Sequence, residues 1–279
     1  SYTARVYAKN SHGTSAASEA SASFTPLAEV ISGLFQSTLW TGNGSTQTIT
    51  TGIDLSNKGG LLWFKQRTSG TNEHNFLLDS ERTAQYTLNT NTTGAQVDQT
   101  SYAPTFTSTG FSLYNWQYAN DNNEDYVGWT FRKEPKFFDV VKITGTGGSR
   151  TIDHSLGSVP GMIIGTRYDA AGEHWHVYHR SLDGGNQPAT HALRLNSTAA
   201  EVDESSYWND TEPTSTQFTV GSNLNHDGGS FIFYLFAHNN NDGGFGADSE
   251  DIIKCDTYTG NGSSTGPVVT LGFEPQFIM

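Results

Sequence analysis

Short apolar runs separated by polar turns make up most of the chain. Residues 61–64, 162–164 and 231–236 are such runs, and clusters of glycine, asparagine or aspartate flank them. No long window places apolar side chains at i, i+3, i+4 and i+7, which is the helical spacing. Short strands bounded by turn residues predict an all-β fold, built as an antiparallel β-sandwich or jelly roll.

The sequence also repeats itself. The pentapeptide Thr-Gly-Asn-Gly-Ser at residues 41–45 recurs at 259–263, and a degenerate copy lies at 144–148. Between them, residues 91–102 match residues 196–207 at a constant spacing of 105 residues. Self-similarity at a fixed period is the mark of a tandem repeat.

This period divides the chain into copies. We predict one repeat at 35–139, a second at 140–252, and the start of a truncated third at 253–279. A unit of about 105 residues is far longer than a solenoid repeat, so each copy should be a domain or half of one. The two long copies should therefore fold as tandem antiparallel β-sandwiches.

The alignment makes a specific prediction about the cores of the two copies. Trp63 and Ile164 should occupy equivalent positions, as should Trp129 and Tyr234. These side chains should be buried, since each gains about 1.5–3 kcal/mol on leaving water.

The N-terminal segment differs from the repeat. Residues 2–10 alternate polar and apolar side chains, and a turn separates them from a second strand-like run at 18–26. This pattern resembles the last two strands of a fibronectin type III domain, which implies that its other strands lie upstream. Residues 1–26 are thus predicted to end such a domain, and residues 27–34 to form a linker.

Charge and cysteine content narrow the function classes. The chain carries 15 Lys and Arg against 28 Asp and Glu, a net charge of −13. An acidic surface repels phosphate, so we expect neither nucleic acid binding nor insertion into anionic membranes. Cys255 is the only cysteine, so no internal disulfide can form.

The repeat body resembles a domain of tail-fibre-like proteins from marine phages, including cyanophages and pelagiphages. Six segments carry the resemblance: 39–45, 59–65, 127–138, 154–164, 176–182 and 252–262. It implies an extracellular virion protein of the tail, laminin-G-like or concanavalin-like in shape, that forms a homo-oligomer and also contacts other virion proteins. Its partner would be a host-surface glycan or envelope component, and the family offers no catalytic motif to transfer.

Aromatic side chains in polar segments are the candidate ligand-binding residues. Tyr102, Tyr207 and Trp208 stand among serine and aspartate, and Trp175 lies between two histidines. A ring beside hydroxyl-binding acceptors is what a sugar site requires. Packing in the core or in an oligomer contact is the alternative for these rings.

The sequence supports metal sites less strongly than it supports a ligand site built from aromatic rings. His174 and His176 would point to one face of a strand, a spacing that can chelate zinc, although a polar strand face is the alternative. The oxygen-rich loops at 121–125 and 238–242 could hold calcium, but such residues also form ordinary turns. We predict no catalytic metal and leave calcium as possible.

We therefore predict a binding or structural segment that is not an enzyme. A bacterial cell-surface or secreted adhesin is the alternative to a phage tail fibre. A polysaccharide depolymerase is a third possibility, because acidic pairs such as Asp203 and Glu204 could in principle serve glycoside hydrolysis.

Overall fold

The computed structural model describes residues 9–10, 13–14, 32–68, 74–102, 104–245 and 250–279. Near the N-terminus, strand β1 (Lys9–Asn10) pairs antiparallel with β2 (Gly13–Thr14). The rest of the two predicted strands at 2–10 and 18–26 lies outside the described residues. The fibronectin interpretation therefore stays a prediction.

The described residues of the two long repeats form seventeen further strands. The first repeat contains β3 (Phe35–Thr41), β4 (Gln47–Thr50), β5 (Gly60–Gln66), β6 (Phe76–Asp79), β7 (Tyr86–Asn89), β8 (Val97–Asp98), β9 (Thr105–Thr107), β10 (Gly110–Leu113) and β11 (Asp125–Arg132). The second contains β12 (Phe138–Thr144), β13 (Arg150–Asp153), β14 (Pro160–Arg167), β15 (His176–His179), β16 (His191–Arg194), β17 (Val202–Asp203), β18 (Gln217–Val220) and β19 (Ser230–Ala237).

The helical segments with described bounds are single turns. The α-helical turns are α1 (Leu55–Lys58), α2 (Gln117–Asn120) and α3 (Ser205–Trp208). The 3-10 turns are Thr100–Tyr102, Leu182–Gly185, Pro188–Thr190 and Ser222–Leu224. No helix in the described part of the chain has the length and apolar character needed to cross a membrane.

The two repeats share one topology. The large sheet of the first has the order β3-β11-β5-β6-β7-β8, and that of the second β12-β19-β14-β15-β16-β17. Smaller sheets, β4-β10-β9 and β13-β18, cover one face of each. The described pairings are antiparallel, which confirms the predicted all-β sandwich fold.

Strand register supports the alignment of the two copies. Trp63 on β5 lies directly opposite Trp129 on β11, and Ile164 on β14 lies opposite Tyr234 on β19. The predicted pairs therefore occupy equivalent sites in the two sheets. Three of these four side chains are buried, and Trp129 is half-buried.

Each large sheet buries both of its faces. On the front face, Leu62 and Phe64 pack toward the smaller sheet of their own repeat. On the back face, Leu61 packs in a core shared with Ile164 and Ile232 of the other repeat. Because strand side chains alternate between faces, a nearly continuous apolar run such as residues 61–64 is what this double burial requires.

A buried ionic network crosses the shared core. The Asp79 carboxylate accepts hydrogen bonds from Arg82 Nε and from the Tyr234 hydroxyl, both at 2.7 Å. Asp79 is fully buried and Arg82 is 4% exposed. Asp79 and Arg82 belong to the first repeat and Tyr234 to the second, so the network joins the two copies.

Buried asparagines hold the loop that the repeated pentapeptide forms in each of the two long repeats. Asn120 accepts a hydrogen bond from the backbone N–H of Asn43 at 3.0 Å, and Asn225 accepts one from Thr146 at 3.1 Å. We call each of these residues an asparagine clamp, because its amide also donates to carbonyls of the same loop. The backbone next to the clamp also lies very close to the pentapeptide. A Cβ at Gly42 would stand 2.0 Å from the Asp121 carbonyl.

Residues 250–279 run beside the two sandwiches without forming a named strand. Ile253 accepts a hydrogen bond from the Asn239 N–H, which attaches this segment just after the end of β19. Further along, Phe277 packs against Phe35 and Trp129 on the back face of the first repeat. The third repeat at 253–279 stays a prediction.

Candidate functional site

The rings proposed from the sequence lie mostly in the interior. Trp175 and Trp208 are each 2% exposed and Tyr207 is 8% exposed, whereas Tyr102 is 37% exposed. Three of the four rings are therefore packed inside, which is the alternative that the sequence left open, and their role in binding stays a prediction. Polar neighbours in sequence did not reveal this, because a strand or turn can point its aromatic side chain inward while its neighbours face solvent.

Trp208 fills the front core of the second repeat. It packs edge-on against Tyr178 at 6.1 Å. The first repeat fills the matching space differently, with fully buried Trp116 where the second has Gly221. A Cβ at Gly221 would stand 2.5 Å from the Ser206 backbone, so the second copy has no room for that ring.

Trp175 and Tyr102 also make packing contacts. The Trp175 indole N–H donates to the Asn89 carbonyl at 3.1 Å, across the boundary between repeats. Tyr102 stacks on Trp116 at 6.5 Å and keeps part of its ring in solvent. Tyr102 is thus the one predicted ring whose exposure suits ligand contact.

The histidine pair makes structural contacts. His174 Nδ1 lies 3.1 Å from Asn196 Oδ1, and His74 pairs with Asn91 in the same way in the first repeat. His176 stacks on Tyr207 at 4.0 Å, and burial, with the charge of Arg194, lowers its pKa to about 3. Within the described ranges, no three His, Cys, Asp or Glu side chains gather as metal ligands.

The acidic candidates serve local structure. Glu204 caps α3 by accepting the Ser206 N–H at 3.0 Å. In the second oxygen-rich loop, the Asp251 carboxylate accepts backbone N–H groups of Asn241 and Gly243. Glu204 thus caps its own turn, whereas Asp251 holds the backbone of a loop that lies earlier in the chain.

An aromatic groove on the first repeat is a candidate site. It lies between the back face of the large sheet and residues 276–279, and its volume is about 360 Å³. The lining residues are Trp63, Asn75, Trp129, Gln276, Phe277, Ile278 and Met279. We call this feature the aromatic groove.

Cross-strand pairing positions the rings of the aromatic groove. Trp63 and Trp129 face each other on β5 and β11, with ring centroids 6.3 Å apart and nearly perpendicular planes. Phe277 packs against Trp129 at 5.2 Å and closes one side. The sheet therefore supplies a rigid wall of two indoles.

Polar groups accompany these rings. The half-buried Asn75 and the exposed Gln276 each bring an amide, which offers both donors and an acceptor. Trp63 is 9% exposed, and its indole N–H has no hydrogen-bond partner among the described residues. That N–H is itself buried, so the polar groups that the groove offers are the two amides.

The sequence did not reveal the aromatic groove as a site. Trp63 and Trp129 were predicted as core residues because they lie in apolar runs. The groove depends on where residues 276–279 dock, which is a contact between segments distant in sequence. The one local signal of a binding site was that two tryptophans, Trp63 and Trp129, lie on the same sheet face.

The fold of the described residues defines the chain as a tandem β-sandwich. The chain belongs to the family described as Domain of unknown function (DUF7483), whose model matches residues 31–279. No curated protein and no solved structure matches it.

Proposed function

We propose that this protein is a non-enzymatic adhesion segment that binds carbohydrate in the aromatic groove. The observation that carries the proposal is the wall formed by Trp63 and Trp129 with amides beside it. Aromatic faces stack against the apolar face of a sugar ring, and amides bond to its hydroxyls. A volume of about 360 Å³ falls within the range of small-molecule sites.

The setting we propose is an extracellular fibre, such as the tail fibre of a phage. Support comes from the repeat architecture. The two sandwiches share a core and an ionic network, so they can serve as one building block of a fibre. A homo-oligomer of such units would present several weak sites at once, and avidity can raise affinity by about 10²–10⁴. The same features suit a bacterial adhesin, so the glycan source and the genome neighbourhood decide between the two.

A glycan array tests the proposal. Wild-type protein should bind a subset of cell-surface oligosaccharides, and Trp129→Ala should weaken that binding by about tenfold, equivalent to ~1.4 kcal/mol. Tyr114→Ala is the matched control, because Tyr114 is an exposed ring of the same repeat, 43% exposed, that does not line the groove.

Melting curves of both variants separate loss of binding from loss of fold. If Trp129→Ala binds as tightly as the wild type, the groove is not the site. Release of new reducing ends from a bound polysaccharide would instead favour the depolymerase alternative and contradict a purely adhesive role.

A further inference from the structure

The pentapeptide at residues 259–263 folds internally like its counterpart in the first repeat. The Ser263 N–H donates to Asn261 Oδ1 at 2.9 Å, and the Ser45 N–H donates to Asn43 Oδ1 at the same distance. The local turn chemistry of a repeat is therefore present after residue 250.

The surroundings of this turn differ sharply from those in the two complete repeats. A Cβ at Gly42 would lie 2.0 Å from the Asp121 carbonyl, and one at Gly145 would lie 1.9 Å from that of His226. A Cβ at Gly260 would meet no heavy atom within 4 Å in the described part of the chain. The place that an asparagine clamp occupies in the other copies is open here.

The side chain just before each pentapeptide shows the same contrast. Trp40 and Ile143 hold this position in the first two repeats, and each is 8% exposed in a front core. Tyr258 holds it in the third copy and is 70% exposed.

A second position supports the comparison. Ile163 follows Pro160 by three residues and is 1% exposed, whereas Ile278 follows Pro275 by the same spacing and is 79% exposed. Both exposed residues, Tyr258 and Ile278, map to the front face of a repeat.

The back face of the third copy already packs against the core shared by the first two repeats. Phe277 aligns with Met162, which packs on the core shared between repeats, and Phe277 packs on that core as well. Adjacent residues of a strand point to opposite faces. Phe277 is packed and Ile278 is exposed, as expected for a central strand whose front face has no sheet packed on it.

We propose that residues 253–279 form the opening strands of a third repeat, whose front face binds the closing elements of the same repeat type. Those elements are an asparagine clamp followed by an apolar strand equivalent to β11 or β19. In the complete copies, that strand pairs directly with the segment that matches 253–259. The two proposals share residues 276–279, which also line the aromatic groove, but this inference is read out at residues 253–259, which do not line it.

A folded second copy of the chain is a poor source for this strand. Strand β11 is already bonded on both sides, by β3 and β5, and β19 is bonded by β12 and β14. Neither can pair with residues 253–259 of another molecule without leaving its own sheet. The partner with the right chemistry is thus a closing strand that is not yet paired, as a third repeat would supply.

Two extensions of the full chain test the proposal. In one, residues 165–245 of the second repeat are copied after Met279, because Met279 aligns with Ile164. In the other, residues 64–132 of the first repeat are copied there, because Met279 also aligns with Trp63. Each extension has a matched control that removes the clamp within the copied segment, Asn225→Ala in the first and Asn120→Ala in the second.

The readouts are nitration of Tyr258 and hydrogen exchange of residues 253–259. In at least one extension, Tyr258 nitration should slow by about tenfold or more and the amides should become protected. The control should lose much of that protection.

If both extensions leave Tyr258 as reactive as in the original chain, the proposal is overturned. Protection of Tyr258 in the original chain, together with a dimer in sedimentation, would also overturn it, because the occupant would then be a second copy.

Discussion

Removing the Tyr234 hydroxyl should destabilise the interface between the two repeats. That hydroxyl donates to the fully buried Asp79 carboxylate at 2.7 Å, and Arg82 is the other side-chain donor. A hydrogen bond to a charged group contributes about 1.5–3 kcal/mol, so Tyr234→Phe should lower the free energy of unfolding by that amount. Arg82→Met should cost more, about 3–5 kcal/mol, because it leaves a buried carboxylate without its counter-charge.

Urea unfolding followed by circular dichroism measures both changes. Tyr126→Phe is the matched control, because its hydroxyl is also buried but bonds neutral backbone groups within the first repeat. It should cost only about 0.5–1.5 kcal/mol. A Tyr234→Phe variant within about 0.5 kcal/mol of the wild type would refute the role assigned to this network.

Three other predictions follow from burial. Trp208→Ala should lower the free energy of unfolding by about 3–5 kcal/mol in urea titrations, because Trp208 is 2% exposed; a negligible change would contradict the packing described. Burial lowers the pKa of His176 to about 3, so unfolding below about pH 6.5 takes up a proton there and stability falls as the pH drops. His176→Gln should flatten that decline, measured as unfolding free energy between pH 6 and pH 4. Burial raises the pKa of Cys255 to about 12, so Ellman's reagent should modify it only after unfolding, and rapid modification of native protein would count against this burial.

The repeated fold was readable from the sequence because it depends on local patterns. Runs such as 61–64 are apolar at consecutive positions, which matches strands buried on both faces. The alignment then matched Trp63 to Ile164 and Trp129 to Tyr234, and these residues form cross-strand pairs at the same place in both sheets. These features require no knowledge of how distant segments dock.

The candidate site was not readable in the same way. Tyr207 and Trp208 sit among polar residues, yet α3 turns both rings into the front core. Trp63 and Trp129 look like ordinary core residues, yet they line a groove together with residues 276–279. Such outcomes depend on the packing of one sheet against another, which residue order alone does not specify.

Indole N–H spectra of tryptophan-labelled protein test the central claim most directly. The chain has 6 tryptophans, and only Trp63 and Trp129 line the aromatic groove. Titration with an oligosaccharide bound on the glycan array should shift those two signals saturably and leave the other four unchanged. Shifts confined to other tryptophans, or none under saturating ligand, would contradict carbohydrate binding in this groove.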